Sequence, residues 1–410
     1  MIHNTQKERI VITGLGPVCG LGIGKEQYFQ SLMKGVNSVK KTTSIDVNSY
    51  PHQNASEVED IDFSKYNLDL SEYNKASAYI ILATQLAISD AKLKLSSFKN
   101  NNVGCFIGTT DGESQALDLF VKNKLFKEGG SSSTTQALRS ITHGNISKSV
   151  SSYIGSIGPA YTIGNACSAS NAAIISGFEY LQHSESDFAF CGGVDLVCRK
   201  TFSIFHRLSA ISEESCTPFD IDRKGIIPSE GANILILEKL SSAIKRKAHI
   251  YGEIVGYAMN CDATHMTNLN PERIAQCMFK CLQSANLEPK QVDYICMHGT
   301  GTKANDYNEY LAIKSIFKKY TPYCGSIKSM LGHSMGASAG FGAIACLFAL
   351  EYGIPPTINL SMQDPEIKLN IPVKFIPKNV NVALNDAFAF GGNNAIIAFR
   401  KVHSNYENIY

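Results

Sequence analysis

The sequence has no Cys-x-x-Cys pair, although it carries 12 cysteines in 410 residues. Their spacing is irregular and the chain is long, which speaks against a disulfide framework and for reduced thiols. Cys277 and Cys281 have no matching histidines, so zinc has no local ligand spacing. The opening "MIHNTQKERIVITG" has no apolar stretch ahead of a cleavage site, so no signal peptide is expected. The longest apolar run, around "FGAIACLFALEYG", is too short to cross about 30 Å of hydrocarbon. There is no charge excess: 38 Lys and Arg face 36 Asp and Glu, a formal net charge of +2, which argues against nucleic acid as a partner. No short repeat and no low-complexity linker occur, which excludes a solenoid. What remains is a cytoplasmic globular chain, 44% hydrophobic and 18% charged, with no membrane or nucleic-acid partner expected.

Short apolar runs alternate with helical patterns along the whole length. "RIVITGLG", "VGCFIGT", "DFAFCGGVDL", "HIYGEIVGYA", "VDYICMHGT" and "NAIIAFRK" read as strands. "KEQYFQSLMKG", "NKASAYIILATQLAISDAKLKL", "ERIAQCMFKCLQSA", "NDYNEYLAIKSIF" and "GASAGFGAIACLFALEYG" read as helices. Near-continuous apolar strands are buried on both faces, and alternation with helices predicts an α/β protein with mainly parallel sheets. The two halves join near residues 250–260. "GLGPVCG" follows a strand, but its GxGxxxG spacing and the lack of a later acidic strand end do not fit a dinucleotide fingerprint. A tight turn with close backbone packing is the expectation there.

Three segments carry candidate chemistry. In "GNACSASNAA" the strand-like "PAYTIG" leads to Cys167 and a helix leaves it, which places the thiol at a helix N-terminus. The dipole there favours the thiolate, and the small neighbours leave room for an acyl group. An inert buried cysteine is the other reading of the same residues. "MHGTGT" ends an apolar strand on His298, and "GSIKSMLGHSMGASAG" sets Lys328 and His333 in a small-residue loop entering a helix. Strand ends followed by glycine turns are where open α/β sheets build sites. A cysteine at a helix start together with two such histidines points to nucleophilic catalysis.

With these motifs in view, the chain resembles the β-ketoacyl-acyl-carrier-protein synthases, condensing enzymes of the thiolase superfamily. The resemblance runs nearly end to end through "VITGLGPVCGLG", "GPAYTIGNACSAS", "CTPFDIDRKGIIPSEGANILILE", "NCDATHMT", "MHGTGTKANDYNE", "SIKSMLGHSMGA", "IPPTINL" and "FAFGGNNA". It is closest to the elongating Cys-His-His branch, since the third position is His333 and not the asparagine of initiating enzymes. It implies a thiolase-like fold of two similar halves, 1–255 and 256–410, in five α-β-α-β-α layers. It also implies a decarboxylative Claisen condensation. Cys167 carries the acyl chain as a thioester, and His298 and His333 stabilise the enolate of the malonyl unit. Lys328 holds the charge network with Glu309 as partner, and Asp306 gives further support. The amides of Cys167 and Phe390 form an oxyanion hole. Phe390 gates the pocket beside Ala389, and Thr300 and Thr302 bind the phosphopantetheine arm. That arm is supplied by an acyl carrier protein; the chain is expected to hold no cofactor and no metal. A homodimer, or a heterodimer with a chain-length-factor-like relative, is the implied working unit.

Departures qualify the resemblance. The gate loop reads "AFGGNN" where relatives carry GFGGTN, so Ala389 brings a Cβ that disfavours positive φ. "TTDGESQ" sets Asp111 and Glu113 where housekeeping enzymes often have apolar residues near the acyl pocket. "SIKSMLGHSMGA" and "KANDYNE" resemble type II polyketide ketosynthases more than housekeeping enzymes. The expectation is therefore a specialised polyketide ketosynthase, with a housekeeping fatty acid synthase enzyme as the alternative. A non-catalytic chain-length partner is the alternative of another class, but that scaffold normally lacks the nucleophile. A thiolase is disfavoured because its second cysteine is absent from "AFGGNN".

Overall fold

The computed structural model describes residues 8–59, 61–69, 72–126 and 140–402. In chain order the strands are β1 (Ile10–Cys19), β2 (Gly22–Ile23), β3 (Lys40–Lys41), β4 (Asn54–Ala55), β5 (Gly104–Gly108), β6 (Ala160–Ile163), β7 (Phe188–Asp195), β8 (Gly231–Lys239), β9 (Gly252–Cys261), β10 (Tyr294–Cys296), β11 (Tyr323–Gly325), β12 (Val382–Ala389) and β13 (Asn393–Arg400). The main sheet runs β11-β10-β12-β13-β9-β1-β8-β7-β5-β6. Its two halves have one topology. In the first, β5 pairs parallel with β6 and β7, and β8 runs antiparallel between β7 and β1. In the second, β10 pairs parallel with β11 and β12, and β13 runs antiparallel between β12 and β9. The halves meet where β1 pairs antiparallel with β9 at Ile10–Ile254.

The sheet is therefore mixed, not mainly parallel. Burial on both faces, read from the apolar runs as a sign of parallel strands, comes instead from helices that cover both faces of the central strands. One core lies between the first half-sheet and the helices Lys75–Asp90 and Gly144–Ile154. Another lies between the second half-sheet and the helices Pro271–Ser284 and Lys303–Phe317. The largest surrounds Ala169–His183 and Ser338–Glu351 between the two half-sheets, giving five α-β-α-β-α layers. Ser338–Glu351 is buried on all sides, which accounts for a run that is apolar all round. Among the described residues no helix is long and apolar enough to cross a membrane.

Local expectations hold where the chemistry is explicit. The helix Lys25–Lys34 closes on Gly35 at φ 65°. Most of "GLGPVCG" lies inside β1, and only its last glycine, Gly20, makes the expected tight turn, the two-residue hairpin that pairs Cys19 with Gly22 of β2. A Cβ on Gly16 would sit 1.9 Å from the Ala83 carbonyl oxygen, so the glycine admits the backbone of helix Lys75–Asp90 against the strand.

Candidate active site

Strand β6 delivers the chain to Cys167 through a sharp turn. Ala166 takes φ 45°, a left-handed conformation that costs a residue with a Cβ about 1–2 kcal/mol. Asn165 and Ser168 brace it: Asn165 Nδ2 donates to Ser168 Oγ at 2.9 Å, and Ser168 Oγ donates to the Asn165 carbonyl at 2.9 Å. Cys167 then opens the helix Ala169–His183 and is only 6% exposed. The second half repeats the device, with Met335 at φ 45° before the helix Ser338–Glu351.

His298 follows β10, and its main chain is gripped from two sides. Its N–H donates to Glu309 Oε1 at 2.7 Å, and the Gly299 N–H donates to Oε2 at 2.8 Å. Lys328 Nζ donates to the His298 carbonyl at 2.6 Å. Asp306 lies one turn before Glu309 and accepts from the N–H groups of Thr300 (3.0 Å), Gly301 (3.2 Å) and Phe219 (2.9 Å). Residues three apart share a helix face, so "KANDYNE" aims both carboxylates at one loop. The expected direct pairing of Lys328 with Glu309 takes another form. Each holds the His298 segment through the backbone, Lys328 at the His298 carbonyl and Glu309 at the N–H groups of His298 and Gly299. His333 donates its N–H to the Ile227 carbonyl at 2.7 Å. Its ring Nδ1 is buried without a protein partner. The rings of His298 and His333 lie 5.4 Å apart at 85°.

The electrostatics separate the roles. Burial, and then the Lys328 ammonium, hold both imidazoles well below the usual histidine range, so both are neutral and present N–H donors. Burial pushes the Cys167 thiol up to about 12; Lys328 pulls it down, and Asp195 and Asp111 push it further up. The helix N-terminus also favours the thiolate, but in the closed pocket burial dominates and the resting group is a thiol. Burial raises Glu309 to about 8 and lowers Lys328.

A cavity of about 80 Å³ is lined jointly by Cys167, His298, His333, Thr300, Thr302, Ala389 and Phe390. Thr300 Oγ1 and Thr302 Oγ1 are 2.9 Å apart, and Thr302 Oγ1 also accepts from Asn305 N at 3.3 Å as the cap of helix Lys303–Phe317. Phe390 stacks on Phe205 at 5.5 Å and 23°. Two expectations change. Ala389 is the last residue of β12, paired with Asn393, and the positive φ angles fall on Gly391 (82°) and Gly392 (76°). Its Cβ therefore imposes no left-handed strain. Asp111 and Glu113 do not line the cavity. Glu113 accepts from Ala76 N, Ser77 N and Ser77 Oγ at a helix start, and Asp111 binds Lys200 Nζ at 2.6 Å and Thr201 Oγ1.

Two contributors carried no motif. Phe205 is the platform under Phe390. Asp195, at the end of β7, accepts from Thr109 Oγ1 (2.7 Å), Asp111 N (2.8 Å) and Gly336 N (2.6 Å), tying the loop after β5 to the second elbow. Phe205 lies in a short, charge-rich segment and Asp195 ends an apolar run, and only their position in the fold marks them.

The chain matches the family descriptions "Beta-ketoacyl synthase, N-terminal domain" over residues 7–243 and "Beta-ketoacyl synthase, C-terminal domain" over residues 251–361. It is 35% identical to 3-oxoacyl-[acyl-carrier-protein] synthase 2 of Synechocystis sp., across 97% of this chain and 99% of that protein. It is 30% identical to Nodulation protein E of Rhizobium meliloti, across 96% and 99%. Among solved structures, the ishigamide ketosynthase/chain length factor superimposes with a TM-score of 0.92 at 36% identity, covering 97% of this chain and 100% of that one. A type II polyketide synthase acyl-carrier protein in complex with its ketosynthase gives 0.89 at 27% identity, with coverage of 97% and 100%.

Proposed function

The chain belongs to the beta-ketoacyl synthase family, and from that premise we propose that it is a 3-oxoacyl-acyl-carrier-protein synthase of type II polyketide biosynthesis. The observation that carries this reading is one small cavity shared by a helix-start thiol and two neutral imidazoles. Cys167 attacks the acyl thioester of a carrier protein. A new C–S bond forms, the bond to the phosphopantetheine sulfur breaks, and the Cys167 proton ends on the departing thiol. Sulfur suits both halves of the cycle, as nucleophile and as leaving group. His298 and His333 then donate N–H bonds to the thioester oxygen of the malonyl unit. Its carboxylate leaves as carbon dioxide, and the electron pair is held as the enolate. The enolate carbon attacks the Cys167 thioester, the C–S bond to Cys167 breaks, and the thiolate recovers a proton from solvent. The amides of Cys167 and Phe390 hold the tetrahedral oxyanion, a role whose loss typically costs about 10²–10³ in rate.

Lys328, Glu309 and Asp306 act through the main chain of the His298 loop in this scheme, and Thr300 and Thr302 meet the phosphopantetheine arm. The arm arrives on the acyl carrier protein; one solved relative is described as such a complex. The two halves, divided just before β9 and not within it at residue 255, act as one unit across the shared sheet. The working form is a dimer through β6, the end strand of the first half-sheet. Tyr161 on that strand is 60% exposed and Ile157 beside it 71%, an apolar edge that favours pairing. A chain-length-factor-like partner is as suitable as a second copy. A housekeeping fatty acid role is the alternative pathway, and the similar identities of 35% to a 3-oxoacyl-[acyl-carrier-protein] synthase 2 and 36% to the ishigamide ketosynthase/chain length factor keep it in the test.

The test is intact-mass analysis of carrier protein after incubation with the enzyme, an acyl-carrier thioester and malonyl-carrier protein. Carrier-bound chains extended by a 3-oxo two-carbon unit are expected, with an acyl adduct on Cys167 and no turnover in Cys167→Ala. An adduct mapped to another cysteine refutes the assignment. Repeated condensation without reduction supports the polyketide pathway, and a single extension of saturated chains supports the housekeeping one.

A further inference from the structure

The oxyanion hole proposed above takes its two donors from opposite halves of the chain. The Cys167 N–H precedes the helix Ala169–His183, and the Phe390 N–H follows β12. A helix and a strand share no backbone ladder, so side chains must set their relative position. Asn171 and Asn385 do this in the centre of the molecule, 0% and 1% exposed. Asn171 Nδ2 donates to the carbonyls of Asn385 (3.2 Å) on β12 and Ala395 (2.9 Å) on β13. Asn385 Nδ2 donates to Asn171 Oδ1 (2.7 Å) and to the Ala339 carbonyl (2.8 Å). Ala339 lies in the helix Ser338–Glu351, six residues after His333. Gly342 in that helix keeps the site open, because a Cβ there would lie 2.3 Å from Asn385 Oδ1.

A buried polar pair is costly unless its groups are satisfied, and here all four amide hydrogens have acceptors. Apolar residues of similar volume would fill the same space without fixing direction. We propose that the Asn171–Asn385 pair is a positioning device for acyl transfer, locking the segments that carry Cys167 and Phe390 in one register. Its consequence is kinetic, since a misplacement of about 1 Å can cost about 10²-fold in rate.

This inference rests on the synthase reading, so the wild type is assayed first for acyl uptake and for malonyl decarboxylation. A wild type that does neither defeats that reading, whatever the variants do. The variants are Asn171→Ala, Asn385→Ala and the double. Each single change orphans a buried amide and lowers stability, and the double leaves no amide unpaired, so its loss is smaller than the sum of the two single losses. The double is expected to lose about 10- to 100-fold in kcat for acyl transfer, with KM within about threefold. Decarboxylation of malonyl-carrier protein uses the two imidazoles, and iodoacetamide alkylation of Cys167 needs no oxyanion hole; both should stay within about threefold. A stable double variant with wild-type acyl transfer overturns the proposal. So does a parallel fall of all three rates, which marks a merely structural role. If the alanine variants do not fold, Asn171→Ser, whose hydroxyl cannot reach both strands, is read by the same three assays with the same outcomes.

Discussion

Replacing both His298 and His333 by glutamine should make folding less sensitive to acid, by an amount that follows from their burial. The rings are 4% and 2% exposed, and burial beside Lys328 holds both well below the usual histidine range. In the unfolded chain each titrates near 6.5. Below that value the unfolded state binds more protons than the folded one, so the stability present above pH 6.5 is lost as pH falls through it. For rings that stay neutral in the folded state from pH 7.5 to 5.5, the loss is about 1.4 kcal/mol each and about 2.7 kcal/mol for the pair. The wild-type curve alone does not display this. Asp195, raised to about 7, and Glu309, raised to about 8, are pushed up by burial and have the opposite sign, as does the buried Asp386. These acids bind more protons when folded, so their contribution improves as pH falls. The comparison between proteins cancels them. Urea unfolding of wild type and double variant at pH 7.5 and 5.5, at one fixed protein concentration, should show the wild type losing about 2.7 kcal/mol more. Curves that move in parallel within about 0.5 kcal/mol would mean that the histidines are not held neutral. The argument that they serve as N–H donors to the enolate would then fail.

Phe205→Leu should open the gate, since a stacked aromatic pair is worth about 0.5–1.5 kcal/mol, or roughly two- to twelvefold in the closed-to-open ratio. The alkylation rate of Cys167 reports it, and an unchanged rate removes Phe205 as the platform. Tyr161→Lys with Ile157→Lys should turn the dimer into a monomer by sedimentation, and a persistent dimer would move the interface away from β6. Ala389→Gly should leave acylation rates across graded chain lengths within about twofold of wild type, because Ala389 sits in an extended strand end. A shifted length profile would show that the strand end itself moves.

The elements legible in the sequence were those with one strong local pattern. The apolar strands β1, β5, β7, β9 and β13 and the helices at Lys75–Asp90 and Ser338–Glu351 fall where the hydrophobic runs place them. The helices Gly144–Ile154 and Arg199–Arg207 do not announce themselves. "GNISKSVSSYI" is rich in serine, which competes with the backbone for hydrogen bonds, and the second is short and interrupted by charge. Both form because the sheet and the gate offer their apolar faces a surface, a tertiary effect that local propensity does not carry. Strand direction was not legible either, because burial on both faces constrains side chains and leaves direction free. At the site, Cys167, His298 and His333 were marked by their glycine-rich surroundings, and the structure gathers them in one cavity. The charge state of the thiol was not legible, since it depends on how completely the fold closes over it.

The duplicated elbow explains why one half carries the nucleophile and the other the second histidine. Ala166 and Met335 share φ 45° and each precedes a short turn into a buried helix, so Cys167 and Gly336 occupy matching places. A side chain at 336 has no room: a Cβ would sit 2.7 Å from Asp195 Oδ2 and 2.7 Å from the backbone at Thr109 and Thr110. The Gly336 amide instead donates to Asp195, which also fastens the loop that leaves β5 beside the first elbow. The second elbow therefore serves as a clamp on the first. Its preceding strand-to-turn segment is left to present His333, whose main chain is fixed by Ile227 and Ser229 and whose ring meets His298. One sharp turn, used twice and filled differently, thus supplies the thiol on one side of the cavity and a rigidly held N–H donor on the other.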